Sequence, residues 1–582
     1  MSKLLSSGET ERSRGGIFTR CSGGVRQEEK RLLCRIRRHV GLFRGRRGVA
    51  VLAGVMMVAS SCSSIGIGLG GGSSSSTVTV TVSANHPGNP INKSLLGADG
   101  PAPSQYSSEV KALGLRYIRT DVSFEGSVNG QPVYNCSTGA WNPALLDGRV
   151  NAIHAQGAQP ELIIDYTPPC LAPAGVVKWC KYEGSSLDVN DGLGVGEGFW
   201  DGQSLEPSSY PCGVNLPPSG NATWTAPDVG SANQAKWDAL VAQMATHEIQ
   251  AEGVRVFEVW NEPDGRFLPG GPASLPAYLH LYQDTATVLE SVANKLGVQI
   301  QIGGPATMFA DPVYIPAFLA FVAAHHLPLS FISWHWYADS PLAGPYGSMP
   351  SSNSRWWYNP ALSTSSYASS VAQVKGWLKL FPSLHPKLWI DEWNVDAGYD
   401  PRQQGPYGAA FVASALSQMQ AAGLNRACFF NLWNSANWAD FGLLTPGGNP
   451  VPAYYSMLYW HELASSQVPV DISSQLLATS KVGAVASTGS NGQVTILSWN
   501  FLPYSLSGNY GTSDPTPYDH VVKVVVNGLV SGARYSWTRA LVDGAHPSGG
   551  VVASGTLSGP SASMSFTLPG EGVSLITLNR NG

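Results

Sequence analysis

At 582 residues the chain exceeds one ordinary domain, so more than one is expected. Charged residues make up only 13% and the formal net charge is −4, which excludes the basic footprint of a nucleic-acid binder. Its 65 Gly, 41 Pro, 18 Trp and 22 Tyr suit a loop-rich, aromatic-rich extracytoplasmic protein.

Residues 1–62 read as a targeting segment. An Arg- and Lys-rich stretch leads into an apolar run from Val49 to Ala59, followed by Ser60-Ser61-Cys62. The run is much shorter than the ~20 residues a membrane span needs. Arg46-Arg47 just before it admits a twin-arginine export route. Ala59-Ser60-Ser61-Cys62 resembles a lipoprotein box that lacks its usual Leu, so a lipid anchor at Cys62 and plain cleavage both stand. The folded body is therefore expected outside the cytoplasm, secreted or anchored at the cell surface or in the periplasm. Residues 63–76 form a Gly/Ser tether.

Thr77-Val78-Thr79-Val80-Thr81-Val82 alternates strictly and predicts a half-buried strand. Strand-like runs then follow at 95–99, 117–122, 159–166, 254–261, 298–303, 331–337, 387–392 and 427–433. Helical patterns fall between them at 232–251, 275–296, 313–326, 366–380 and 407–422. Strands alternating with helices predict a parallel sheet, and eight such units predict an α/β fold, a (β/α)8 TIM barrel, over 91–466. The long irregular segment 167–231 is expected to build a wall of the cleft. Cys136, Cys170, Cys180 and Cys212 lie in loops, where two disulfides of open connectivity are expected. Cys428 lies in an apolar run and reads as a buried free thiol. No Cys/His spacing suggests a zinc site.

After a last helix at 453–465, short strands joined by Gly, Ser and Asn turns predict an additional all-β sandwich domain over 467–582, with a hairpin at Asn491-Gly492. The strand within 77–90 lies outside the barrel count and is expected to join that sandwich.

The chain's chemistry concentrates at two strand ends. Val254-Arg255-Val256-Phe257-Glu258-Val259-Trp260-Asn261-Glu262-Pro263 is a strand that leaves the sheet at proline, which puts Glu262 at its C-terminal tip. Lys387-Leu388-Trp389-Ile390-Asp391-Glu392 ends likewise in carboxylates. Alternation places Leu388, Ile390 and Glu392 on one face and so favours Glu392 over Asp391 as the cleft carboxylate. Two carboxyl groups facing one cleft are what cleavage of a glycosidic bond needs: an acid for the leaving oxygen, and a base or nucleophile at the anomeric carbon. Glu258 shares the face of Glu262 and reads as structural, paired with Arg255 or Arg119. Tyr166 and Asp99 also lie at strand tips and are given no role.

Trp260-Asn261-Glu262-Pro263-Asp264 resembles the acid/base motif of the barrel glycosidase clan that carries its glutamates on strands 4 and 7. The stretch from Phe257 to Asp264, with Ile332-Ser333-Trp334-His335-Trp336-Tyr337, is most similar to glycoside hydrolase family 39, the β-xylosidase and α-L-iduronidase family. The resemblance spans about residues 90–465. It implies a retaining O-glycosidase in which Glu262 is general acid and base and Glu392 the nucleophile. Asn261 would hold the sugar 2-hydroxyl. His335 and Tyr337 would hydrogen-bond near the nucleophile or substrate. Arg119 would keep Glu392 ionised, and Trp433 would form the platform under the sugar. The substrate would be a polysaccharide-derived oligosaccharide, with neither metal nor organic cofactor required. An endo-glycanase or arabinofuranosidase of the same clan, or an inactive surface carbohydrate-binding protein, are the competing readings.

Overall fold

The structure is a computed structural model. It describes residues 77–581 apart from 169, 172–178, 181–209, 212–231, 266–267, 269–273, 339–362, 397–400, 435–440, 474–481 and 504–518. The targeting segment, the tether and nearly all of the 167–231 wall lie outside the described residues.

Eight parallel strands close into a barrel: Gly97–Asp99, Tyr117–Asp121, Gln159–Ile164, Val256–Val259, Gln301–Thr307, Phe331–Tyr337, Lys387–Asn394 and Arg426–Phe429, here barrel strands 1 to 8. All eight expected runs coincide with them, with shifts only at the ends. The helix Leu275–Leu296 shows why the outer layer forms. Proline sits in its first turn, where no hydrogen bond is lost. Leu275, Tyr278, Leu281, Tyr282, Leu289 and Val292 form one buried stripe, and Gly297 ends the helix at φ 66°. Two helices were not anticipated. Ser107–Leu113 is only seven residues long, and Ala144–Ala155 buries just Leu146, Val150 and Ile153.

The barrel interior mixes charged and aromatic side chains. Near its N-terminal end Phe331 stacks on Trp389. Arg426 lies 3.3 Å from the Tyr117 ring centre and 3.5 Å from that of Trp389, and it pairs with Glu161 at 2.8 Å. Arg119 and Glu258 are both buried there and pair at 2.8 Å. Trp389 therefore faces inward. Leu388 and Ile390 belong instead to the large apolar cluster under the helices.

The sandwich has two sheets. One runs Val470–Ser473, Thr77–Ser83, His520–Asn527, Ser561–Leu568; the other runs Ser466–Val468, Val482–Thr488, Val494–Asn500, Val573–Arg580, Arg534–Val542, Val551–Ser558. Thr77–Ser83 pairs antiparallel with Val470–Ser473 and parallel with His520–Asn527, so the start of the described chain is built into its last domain. Gly492, at φ 79°, turns the hairpin between Val482–Thr488 and Val494–Asn500. Cys136 and Cys170 form a disulfide, and Cys428 is a buried free thiol. Cys212 and the side chain of Cys180 fall outside the described residues.

Candidate active site

Glu262 lies just past barrel strand 4, where the backbone leaves the ladder abruptly. Trp260 (φ 70°) and Glu262 (φ 42°) both take left-handed conformations, as does Ala306 (φ 51°) opposite them. Such geometry costs non-glycine residues on the order of 1 kcal/mol or more each and persists only when the surroundings impose it. Here they do. The Glu262 N–H donates to the Ala306 carbonyl at 2.9 Å, and the Ala306 N–H donates to the Ser333 hydroxyl at 3.1 Å. Tyr278 donates to the Val259 carbonyl at 3.1 Å, and Asp264 accepts the Met308 N–H at 2.9 Å. The turn aims the Glu262 side chain over the barrel mouth, 12% exposed.

Glu392 reaches the same mouth from barrel strand 7, but not by alternation. Strand 7 shifts register against strand 6 between Trp334↔Ile390 and His335↔Glu392, which skips Asp391. This is a bulge: one extra residue re-aims the side chains that follow. Leu388 and Ile390 face the helices, as noted above. Strict alternation from them would have turned Glu392 outward as well. The bulge lets Asp391 and Glu392 both point into the barrel, Asp391 deeper. Glu392 therefore does not share a face with Leu388 and Ile390, as alternation predicts, although its carboxylate does face the cleft.

One oxygen of Glu262, one of Glu392 and a ring nitrogen of His335 all lie within 4.8 Å of one another. His335 Nδ1 is 2.8 Å from Glu262 Oε1 and 3.4 Å from Glu392 Oε2. The Tyr337 hydroxyl donates a very short hydrogen bond to Glu392 Oε1. Arg119 spans the floor. Its Nη1 donates to Asp99, its Nε to Glu258 and its Nη2 to Asn261 Oδ1, each at 2.8 Å. Glu392 is farther from it, at 3.6 Å. Asn261 Nδ2 in turn reaches the Tyr166 hydroxyl at 3.5 Å. Arg255 is not the partner of Glu258; it donates to the carbonyls of Ile249 and Val254.

These contacts set the charges. Burial, then the negative charges of Glu262 and Asp99, push Glu392 well above the usual carboxylate range; Arg119 and the Tyr337 hydroxyl pull it back only in part. Burial raises Asp99 to about 7 despite Arg119. Burial, followed by the charge of Arg119, holds His335 well below 6.5, so its imidazole is neutral. Burial and the neighbouring Glu258 keep Asp391 protonated well beyond the ordinary range. Arg119 is thus shared among several carboxylates and cannot by itself hold Glu392 ionised.

The structure brings Glu262, Glu392, Asn261, His335, Tyr337 and Arg119 together. Trp433 lies past strand 8 on the same rim, half-buried. The neighbouring Leu432 N–H donates to the Asp99 carbonyl at 3.0 Å, and Trp433 bridges to Leu444. The residues left without a role, Asp99 and Tyr166, turn out to hold Arg119 and Asn261 in place. Only their position at strand tips signalled this.

An eight-stranded parallel barrel with two facing glutamates at the C-terminal rim of strands 4 and 7 has the architecture of a barrel glycosidase. The family model for glycosyl hydrolases family 39 matches residues 222–550, and the chain belongs to that family. The match begins ahead of strand 4 and runs well into the sandwich. A β-xylosidase of Geobacillus stearothermophilus is 25% identical over 273 residues, 43% of this chain and 50% of that protein, so the chain spans about half the length of the curated relative it matches. Among solved structures, a monomeric β-xylosidase from Caulobacter crescentus CB15 superposes with a TM-score of 0.62 at 17% identity, covering 87% of this chain and 100% of that one. A family 39 enzyme from Xanthomonas axonopodis pv. citri gives 0.61 at 20% identity, with 86% and 97% covered. At these identities the structural likeness shows the fold.

Proposed function

We propose that the protein is a retaining β-xylosidase-like glycosidase acting on polysaccharide-derived oligosaccharides. The observation that carries the retaining mechanism is the approach of a Glu262 oxygen to a Glu392 oxygen within 4.8 Å. Retaining enzymes hold the two groups roughly 5–5.5 Å apart, whereas inverting ones leave about 6.5–9.5 Å for a water. The curated β-xylosidase relative supports the substrate class.

The roles follow from position. Glu262, the more exposed carboxyl, gives its proton to the glycosidic oxygen while a Glu392 oxygen bonds to the anomeric carbon and the leaving sugar departs. Glu262, now a carboxylate, then takes a proton from water, whose oxygen displaces Glu392 and restores the starting state. The single proton that two close, buried carboxyls retain must sit on Glu262 for the first step. The Tyr337 hydroxyl and Arg119 favour that distribution because both stabilise a charged Glu392. Neutral His335 fixes the Glu262 carboxyl by its Nδ1 contact. Asn261, held by Arg119, offers its amide Nδ2 to the sugar 2-hydroxyl, and Trp433 supplies an apolar face at the rim. The N-terminal signal pattern supports an extracytoplasmic site of action, with Cys62 as an anchor if it is lipidated.

The test is hydrolysis of aryl β-xyloside, β-glucoside, β-galactoside, α-arabinofuranoside and α-iduronide by wild type and Glu392→Ala, with and without azide. Wild type is expected to cleave the β-xyloside. The variant should lose on the order of 10³-fold or more in kcat and regain activity with azide, yielding a glycosyl azide of inverted configuration. Hydrolysis by wild type with inversion sinks the retaining mechanism. Turnover of another glycoside alone sinks the β-xylosidase-like specificity.

A further inference from the structure

A second cluster of metal-ligating side chains lies outside the barrel, in its helical layer. Helix Ala144–Ala155 contributes Asp147. Helix Ala232–Gln250 contributes His247, and Glu252 follows two residues after that helix ends. One ligand atom from each of Asp147, His247 and Glu252 lies within 4.8 Å of the other two, and all three residues are half-buried. His247 Nε2 is 2.8 Å from Asp147 Oδ1. The edge of the Trp141 ring meets the His247 ring, with centres 5.5 Å apart. His154 holds the Glu252 carbonyl at 2.9 Å, which fixes the backbone that carries the third carboxylate.

Glu248, next to His247 on the same helix, is fully buried, and neither of its carboxyl oxygens has a hydrogen-bond partner. Buried polar groups are nearly always bonded, so such a group demands an explanation. The charges that act on it are those of Asp147 and Glu252, both negative. A half-exposed ion pair does not account for two carboxylates and an imidazole converging beside a buried, unbonded carboxyl. A cation does.

We propose that Asp147, His247 and Glu252, backed by Glu248, form a binding site for one first-row divalent cation of the Zn²⁺ type. The donor set selects the class. Calcium and magnesium prefer all-oxygen shells, whereas an imidazole nitrogen with carboxylate oxygens suits zinc and its neighbours. Tetrahedral ligands at about 2.0–2.1 Å stand roughly 3.3 Å apart. Asp147 and His247 need separate by only about half an ångström, with loss of the proton between them. The ion would tie helix 144–155 to the end of helix 232–250. That end leads directly into strand 4, where the Val254 N–H donates to the Glu248 carbonyl at 3.0 Å. None of the four residues is hydrogen-bonded to Glu262 or Glu392 among the described contacts, so the site is structural.

The experiment strips the full-length protein with chelator, re-equilibrates it with Zn²⁺, Ca²⁺ or Mg²⁺, desalts it, and measures metal content and melting temperature. About one zinc per chain should be retained, with a melting temperature that rises with free zinc; calcium and magnesium should do neither. His247→Ala and the more conservative Glu252→Gln should each lose the zinc and its thermal effect while glycosidase activity stays as in wild type. Glu262→Gln should keep both, because the only other described cluster of three such ligands that includes a histidine is the one in the cleft. The proposal fails if wild type retains no zinc, if His247→Ala and Glu252→Gln retain it, or if Glu262→Gln is what removes it.

Discussion

At the scale of the residue, the electrostatics of Glu392 make a sharp prediction. Its carboxyl is pushed up by burial first and by Glu262 second, and the Tyr337 hydroxyl is one of the few groups pulling it down. A donor to a carboxylate favours the charged form. Tyr337→Phe removes that donor, so Glu392 must hold its proton to still higher pH. Since the nucleophile acts ionised, the acidic limb of kcat/KM should move to higher pH, and kcat should fall about 10–100-fold, the worth of one hydrogen bond to a charged group. A pH–rate profile checks this; an unmoved acidic limb would mean that Tyr337 does not tune Glu392. The two glutamates were legible in the sequence because Asn-Glu-Pro and Asp-Glu-Trp-Asn each close an apolar strand. The sharing of Arg119 was not legible. Asp99 ends strand 1, Glu258 lies on strand 4 and Asn261 just past it, and only barrel closure gathers them around one guanidinium. The Asp147–His247–Glu252 group is hidden for the same reason: its members come from one helix and from the end of another and the turn after it, and no local spacing marks them.

At the scale of the element, strand positions were readable because each run is apolar and bounded by turn residues. What was misjudged is facing. Period-two reasoning holds while the ladder is regular, and strand 7 carries a bulge at the point where the chemistry sits. In the sandwich, Ser561–Leu568 turns Ala562, Met564, Phe566 and Leu568 inward, while its Ser-rich other face leaves no apolar run to mark it. Val551–Ser558, an edge strand that is mostly exposed, likewise carries no apolar run. Barrel strand 1 shows how tightly an element can be specified. It has three residues, and a Cβ added at Gly97 would sit 2.5 Å from the Ala427 carbonyl oxygen and 2.8 Å from Cys428 Sγ. Backbone cannot yield there without parting strands 1 and 8. Gly97→Ala should therefore destabilise the protein by about 1–3 kcal/mol. Asp99 would shift with the strand, loosening its 2.8 Å pairing with Arg119. A lowered melting temperature together with reduced kcat is the expected result; an unchanged melting temperature would show that the strands part freely.

At the scale of the molecule, barrel and sandwich were legible as two patterns, but their union was not. The large apolar cluster under the barrel helices does not stop at the barrel. Val485, Leu497, Trp499, Phe501, Val542, Val573 and Leu575 of the sandwich belong to it. Phe501 is the clearest link: it is buried, and its ring lies 5.3 Å from that of Tyr407 and 5.8 Å from that of Phe411 on helix Pro406–Ala422. The strand Thr77–Ser83 adds a second tie, since the chain leaves the sandwich to build the barrel and then returns. The sandwich keeps its own interior between its two sheets, but its other face shares a core with the barrel helices, so parting the two would expose that shared core. Calorimetry should accordingly show a single transition, with calorimetric and van't Hoff enthalpies in agreement. Phe501→Ala should cost about 3–5 kcal/mol. At about 2.1 cal/mol/K per residue over the roughly 380 described residues, that is a fall of roughly 4–6 °C in melting temperature. The fall should appear equally by near-ultraviolet dichroism, which the buried barrel tryptophans dominate, and by loss of glycosidase activity on heating. Two resolved transitions, with only the one not linked to activity moved by Phe501→Ala, would show instead that the sandwich is an independent appendage.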